Sequence, residues 1–118
     1  MYKTKSWKNH FTNDVLVKVK YSKKEYERYK KTKKVIFLQQ ACGKLFSAVE
    51  NYLMVKYSQR KRSYHSLWEM INRNEKDKTL LQLSKQLHVF YYNGTLDTKV
   101  YEAEGIYDNV YQKMKKWM

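Results

Sequence analysis

Apolar residues recur at steps of three and four along most of the chain, which is the spacing that gathers side chains on one face of an α-helix. The longest such run covers residues 35–57 and predicts a central helix with a broad buried face. Its apolar positions are Ile36, Leu38, Ala41, Cys42, Leu45, Phe46, Val49, Tyr52 and Leu53. Gly43 lies within this run and costs about 1 kcal/mol relative to alanine in a helix, a cost that is more easily tolerated if another helix approaches closely there.

Two helices are expected to follow the central one. The first lies in "SLWEMINRNE", where Ser66 and Glu69 have the spacing of a capping box. The second begins with Asp77 or Thr79 as its cap and ends at Asn93-Gly94, a pair suited to a left-handed stop. Its apolar stripe consists of Leu80, Leu83, Leu87, Phe90 and Tyr91.

The two ends of the chain predict one further helix each. The closing helix runs from about Thr98, with a stripe formed by Val100, Ala103, Tyr107, Val110, Met114 and Trp117. Near the other end "VLVKVKY" alternates like a strand, whereas "KKEYERYKKTKK" is polar and favours a helix. An isolated strand would have no pairing partner in this chain, so we predict a helix from about Asn13 to Thr32.

The chain has no proline and only three glycines, so the usual punctuation of strands and turns is missing. The sequence therefore predicts an all-α fold, a four- to five-helix up-and-down bundle with short loops. Its 118 residues fit a single domain, 1–118, with a basic segment 1–34 packed on or flanking the bundle.

Positive charge is spread unevenly along the chain. The formal net charge is +14, and residues 1–34 supply +9 of it because they hold 12 Lys and Arg against 3 Asp and Glu. Such a field favours polyanionic partners, either nucleic acid or an anionic membrane surface, although lysine-rich surfaces also serve solubility alone. Nowhere do about 18 uncharged apolar residues run together, so we expect no membrane-spanning segment and no membrane partner.

The single cysteine, Cys42, lies in an apolar run, where a thiol behaves as a small hydrophobe. This favours a reducing compartment, and the absence of a signal-peptide pattern leads us to expect a cytoplasmic protein. His10, His65 and His88 are scattered without close carboxylates, and no glycine-rich phosphate loop appears. We therefore expect no metal site and no cofactor.

Two basic clusters are candidates for binding nucleic acid. The first consists of Lys23, Lys24, Arg28, Lys30, Lys31, Lys33 and Lys34. The second consists of Arg60, Lys61, Arg62, Tyr64 and His65, which combine phosphate-pairing cations with rings that can stack on bases. Tyr26 and Tyr29 share one helix face within the first cluster, and we expect them to pack on the bundle rather than to stack on bases.

Three segments occur in an order that resembles the archaeal PaREP-type proteins. Members of that family show a Q-A-x-x-K-L-W/F-x-A segment, an H-x-x-L-W-E segment and an L-H-x-N-F-Y-E segment. The matching residues are Gln40, Ala41, Lys44, Leu45, Phe46 and Ala48, then His65, Leu67, Trp68 and Glu69, then Leu87, His88, Phe90 and Tyr91. In the second segment the spacing from histidine to leucine is one residue shorter, and Asn93 stands where an acidic residue is common.

The resemblance covers roughly residues 35–118 and implies a HEPN-like bundle (higher eukaryotes and prokaryotes nucleotide-binding), a class that commonly dimerises. Many HEPN members are metal-independent ribonucleases that use an arginine four to six residues before a histidine. Residues Gln82, Leu83 and Ser84 precede His88 at that spacing, so the arginine is missing. Arg60 and His65 match the spacing formally but lie in a basic loop, where a chance match is the better explanation.

We therefore assign no catalytic residue and expect His88 to be structural or interfacial. The favoured hypothesis is a non-enzymatic protein that binds nucleic acid, RNA rather than DNA. One alternative is a HEPN-type ribonuclease or toxin. Another is an interaction subunit that dimerises and supports a protein partner. We expect a homodimer, with Leu87, His88, Tyr91 and Tyr92 as the possible interface.

Overall fold

The computed structural model describes residues 2–57, 64–71, 74–93 and 97–116. These residues form five helices and, within the described ranges, no strand. The helices are α1 (Tyr2–Thr32), α2 (Val35–Lys56), α3 (Tyr64–Met70), α4 (Glu75–Asn93) and α5 (Asp97–Lys116). The predicted all-α class is confirmed.

Helix α1 is longer than predicted, since it begins at Tyr2 rather than at about Asn13. The strand-like stretch "VLVKVKY" is helical because its valines at spacing four join one buried stripe, while Leu16 and Val17 point to solvent. That stripe consists of Phe11, Val15, Val19, Ser22, Tyr26 and Tyr29. Helix packing on one side of α1 therefore decides between the two periodicities that the sequence contains.

The four long helices run alternately up and down. Ser22 bonds to Ala41 while Lys18 bonds to Ser47 further along, so α1 and α2 are antiparallel. In the same way, Phe46 stacks on His88 and Lys56 pairs with Asp77, which makes α2 and α4 antiparallel. Helix α5 packs against both α4 and α2, and α3 is a short element in the connection between α2 and α4.

Close helix packing explains the glycine within α2. A Cβ atom on Gly43 would lie 2.7 Å from Cδ1 of Tyr91, a ring carried by α4. The condition that makes a glycine tolerable here, the close approach of another helix, is therefore met. Cys42 beside it is completely buried, as expected for a thiol in an apolar face, and burial raises its pKa.

Polar side chains within the core are bonded to neighbouring helices. The Ser22 hydroxyl donates to the carbonyl of Ala41 and lies 2.8 Å from the hydroxyl of Tyr107. Asp77 is buried, and its Oδ2 accepts from Lys56 Nζ at 2.8 Å and from the Tyr57 hydroxyl at 2.5 Å. These bonds connect helices that the chain brings together only by folding.

Two predicted helix starts were wrong by a few residues. Asn74 caps α4, because its Oδ1 accepts the backbone N–H of Asp77; Asp77 and Thr79 therefore lie inside the helix. Ser66 also lies inside its helix, because α3 begins at Tyr64. In both segments several polar residues compete for the cap position, and only the path of the preceding chain selects one of them.

Candidate nucleic-acid interface

The first basic cluster surrounds the C-terminal half of α1 and the turn into α2. Lys23 is half-buried, and the other six members are exposed. The buried stripe occupies the inner face of α1, so these cations occupy the remaining surface. Within the described chain Arg28 alone among them forms a salt bridge, with Glu25 at 3.7 Å.

Acidic residues lie on one flank of this cluster. Glu27 and Asp108 line a groove of about 390 Å³ between α1 and α5 together with Lys23, Lys30 and Lys31. The two carboxylates reduce the positive potential on that flank. A phosphate is therefore better accommodated on the outer face of α1 than in this groove.

Tyr26 and Tyr29 pack into the bundle, as predicted. Tyr26 is 3% exposed and stacks on Tyr107 with ring centroids 4.1 Å apart. The Tyr29 hydroxyl donates to the carboxylate of Glu104, and burial together with this bond raises the pKa of Tyr29 to about 12. Because both rings are buried, they cannot serve as platforms for bases.

These buried rings instead support the cations around them. Lys30 Nζ lies 5.1 Å from the ring centroid of Tyr26, and Lys33 Nζ lies 6.0 Å from that of Tyr29. A ring in such a position attracts an ammonium group weakly while leaving its N–H donors exposed. Tyr21 differs, because it is 55% exposed and lies 5.8 Å from Lys24 Nζ. It is therefore an exposed aromatic ring beside a lysine on α1.

The structure describes only part of the second basic cluster. Arg60, Lys61 and Arg62 lie outside the described residues, and Tyr64 is the first residue of α3. His65 is exposed and pairs with Glu69 at 3.0 Å. Helix α3 follows the C-terminal end of α2, whereas the first cluster precedes its N-terminal end. The 22 residues of α2 separate the two ends by roughly 33 Å.

A polar groove between α1, α2 and α4 was not predicted from the sequence. It has a volume of about 380 Å³, and we name it the α1–α2–α4 groove. Its lining consists of Lys18, Gln40, Gly43, Lys44, Phe46, Ser47, Glu50, His88 and Tyr91. Lys18 Nζ donates to the Ser47 hydroxyl at 2.7 Å across the α1–α2 contact. The regular spacing of Gln40, Lys44 and Ser47 along α2 could have indicated a polar groove, but it is equally typical of a solvent-exposed helix face.

His88 packs in an aromatic cluster at the edge of this groove. Its ring stacks on Phe46 with centroids 4.4 Å apart and meets Tyr92 edge-on at 4.9 Å. Burial, and to a smaller extent the charge of Lys85, lowers the pKa of His88. The residues that line the groove include two lysines and no arginine. The lowered pKa favours the neutral form of the His88 imidazole, and the cations that line the groove are lysines.

The predicted interface residues of α4 are divided between core and surface. Leu87 is completely buried, so it belongs to the core of the bundle and presents no surface to a partner. His88 and Tyr91 are half-buried, while Tyr92 is 68% exposed. Val89, which was not predicted, is 39% exposed beside them. An interface on this helix would therefore use His88, Val89 and Tyr92 rather than Leu87.

The described residues contain no group of three or more His, Cys, Asp or Glu that could hold a metal ion. None of the helices in the described ranges combines the length and the apolar character needed to cross a membrane. The chain matches no family model, no curated protein and no solved structure.

Proposed function

We propose that this chain is a non-enzymatic nucleic-acid-binding protein that prefers RNA and contacts its phosphates through α1. The observation that carries the proposal is the state of the first basic cluster. Its six lysines lie within twelve residues, and none of them forms a salt bridge in the described chain. Five of the six are also exposed, and exposed positive charge without a salt bridge is what phosphate neutralisation and counterion release require.

The aromatic residues of α1 favour binding of single-stranded nucleic acid with little sequence preference. Tyr21 offers an exposed ring next to Lys24, an arrangement in which a base can stack while its phosphate meets the ammonium group. Tyr26 and Tyr29 are buried and offer no further platforms. Phosphate contacts therefore dominate, and splayed bases of single-stranded RNA suit the exposed ring of Tyr21.

The experiment is a salt series with a charge-matched control. Fluorescence anisotropy would follow a labelled single-stranded RNA at several salt concentrations. For the wild type we expect steeply salt-dependent affinity, with a slope of about −0.7 per phosphate contact. Replacing Lys24 and Lys31 by Gln should weaken binding and reduce the slope by roughly 1.4. The control pair Lys76→Gln and Lys116→Gln removes the same charge from exposed positions of α4 and α5.

Two results would contradict the proposal. One is an affinity that hardly changes with salt or is absent at low salt. The other is an equal loss in the α1 pair and in the control pair, which would mean that net charge alone attracts the RNA. Intact RNA after incubation without metal is also expected, since His88 lies among lysines rather than beside an arginine.

We also propose that the chain is a PaREP-type, HEPN-like protein that forms a homodimer. The quoted segments support this assignment because they fall on α2, α3 and α4 of an all-helical bundle. The exposed Tyr92 and Val89 on α4 support a contact between copies. A cytoplasmic location is part of the same proposal and is supported by the buried thiol of Cys42.

A further inference from the structure

We propose that the α1–α2–α4 groove binds a terminal phosphate, a phosphomonoester at the end of the strand that lies along α1. The inference rests on the proposed function for the source of this phosphate. The chemistry of phosphate binding is independent of that function, because inorganic phosphate presents the same group. The groove thus provides an end-recognition site within a surface that otherwise has little sequence preference.

Lys18 and Ser47 form the donor pair at the centre of the groove. An ammonium group has three N–H donors, and Lys18 uses one of them on the Ser47 hydroxyl. Because that hydroxyl oxygen accepts from Lys18, its own hydrogen points elsewhere and can be donated to an anion. Lys18 is half-buried, so its charge is held in place and less screened than that of a fully solvated lysine.

The neighbouring side chains on α2 add a second cation and an amide. Lys44 lies three residues before Ser47 and therefore on the same face of the helix. Lys44 is exposed at the rim of the groove, and Gln40 lies one helical turn before it. Lys18, Lys44, Ser47 and Gln40 together offer the charged and neutral donors that a phosphate group accepts.

The charge of the groove favours a monoester over an internal phosphodiester. A terminal phosphate carries about −1.5 to −2 at neutral pH, whereas a diester carries a single charge. Lys18 and Lys44 supply two positive charges near Ser47, whereas Glu50 lowers the net charge of the whole lining to +1. Glu50 lies one turn beyond Ser47 and repels an anion, so the phosphate is expected on the Gln40 side of Ser47.

Shape gives a second reason to expect an end rather than a continuing strand. Gly43 allows the Tyr91 ring to pack directly on α2, and this ring forms part of the groove wall that α4 contributes. His88, held between Phe46 and Tyr92, forms the rest of that wall. We therefore expect a strand that enters from α1 to end at these rings.

A continuous path leads from the groove to the basic cluster. Lys18, Tyr21 and Arg28 are separated by three and seven residues and share one face of α1. This face covers roughly 15 Å along the axis of α1. The exposed ring of Tyr21, with Lys24 beside it, lies between the groove and Arg28. A strand anchored by its terminal phosphate would place its first bases near Tyr21.

The test measures the affinity of the protein for three forms of one short RNA. One form has a 5′-phosphate, one has a 3′-phosphate, and one has hydroxyls at both ends. We expect one of the phosphorylated forms to bind about tenfold more tightly than the hydroxyl form, as one charge-assisted contact allows. The variant Lys18→Gln should remove this preference. Lys20→Gln, on the outer face of the same helix, should lower all three affinities and keep the preference.

Folding and specificity are checked with two further variants. Lys44→Gln replaces an exposed side chain, so it reports on the groove even if Lys18→Gln unfolds. Lys18→Arg keeps the charge and should restore part of the preference. NMR titration with inorganic phosphate should shift the backbone amide signals of Lys44 and Ser47, because a phosphate in the groove lies against them.

The outcomes distinguish this inference from the proposed function. Tight, salt-dependent binding of all three RNAs with equal affinity would reject the terminal-phosphate site and leave the nucleic-acid function standing. Phosphate-induced shifts at Lys44 and Ser47 without RNA binding would support a phosphate site in the groove and reject the nucleic-acid function. A preference that survives in both Lys18→Gln and Lys44→Gln would show that another part of the protein recognises the strand end.

Discussion

The hydroxyl groups of Ser22 and Tyr107 lie 2.8 Å apart in the core, although 85 positions separate the two residues in the chain. Ser22 donates its hydrogen to the carbonyl of Ala41, so Tyr107 is the donor in the bond between the two hydroxyls. Three helices, α1, α2 and α5, are thereby connected through one buried polar chain. Burial is the largest cause of a raised pKa for Tyr107, which keeps its proton.

Ser22→Ala should reduce the free energy of unfolding by about 1–3 kcal/mol, because it leaves the buried hydroxyl of Tyr107 without an acceptor. Tyr107→Phe removes only the donor and should cost about 1 kcal/mol. The double variant should be less destabilised than the sum of the two single variants. Denaturant titration of all three measures this coupling, and Thr12→Ala at an exposed position of α1 is the control. Strict additivity would contradict the bonded chain.

Gly43→Ala and Gly105→Ala should change stability in opposite directions. Alanine at Gly105 meets no atom within 4 Å, so helix propensity should raise stability by about 1 kcal/mol. At Gly43 the new Cβ would lie 2.7 Å from the Tyr91 ring, and the required shift should outweigh the same gain. In a Tyr91→Ala background the substitution at Gly43 should become stabilising. Thermal unfolding of the four variants tests this, and a stabilising Gly43→Ala in the wild type would contradict the contact.

Lys56→Met should destabilise the bundle through Asp77. The Asp77 side chain is 1% exposed, and removal of Lys56 Nζ takes away a charged hydrogen bond, worth about 2 kcal/mol. Asp77→Asn should restore much of this loss in the double variant, because the amide carries no charge to compensate. Lys76→Met, at an exposed position one residue before Asp77, should have little effect. Equal losses for the two lysine variants in denaturant titration would argue against a specific role for the pair.

Stability should fall in alkaline solution. Burial, together with the bond to Asp77, raises the pKa of Tyr57 from 10.0 to about 12. Burial and the bond to Glu104 raise the pKa of Tyr29 in the same way. A pKa that is higher in the folded state contributes stability below pH 10.0, and this contribution is lost as the pH rises towards about 12.

Circular dichroism and tyrosinate absorbance, followed over that pH interval, should show unfolding together with tyrosine ionisation. Tyr57→Phe should make the pH dependence shallower, whereas Tyr101→Phe, at a position 82% exposed, should leave it unchanged. Ionisation of all tyrosines near the ordinary value, before any loss of helix, would contradict the contacts described for Tyr29 and Tyr57.

Tyr92→Lys should convert the proposed homodimer into a monomer. A lysine opposite its symmetry mate would bring like charges together at a contact that otherwise contains Tyr92 and Val89 of each copy. Sedimentation equilibrium measures the change, with Tyr101→Lys as the control at an exposed ring on α5. A wild-type protein that is monomeric at all concentrations would reject the dimer, and a dimer that survives Tyr92→Lys would place the interface elsewhere.

The amino-acid sequence by itself determined the helical class, the position of the central helix and the burial of Tyr26, Tyr29 and Cys42. Each of these follows from local periodicity, because residues three and four apart share a helix face whatever surrounds them. It also located the excess of positive charge in residues 1–34, which is a matter of counting.

Only the tertiary structure decided which residues share a surface. It extended α1 to Tyr2, since packing of Phe11 and Val15 selected the helical period in a stretch that also alternates like a strand. It placed Leu87 in the core and put His65 and the first basic cluster beyond opposite ends of α2. It brought Lys18 to Ser47 in one groove, although 29 positions separate them. Spacing along a chain carries no information on such contacts, because they depend on how the helices pack against one another.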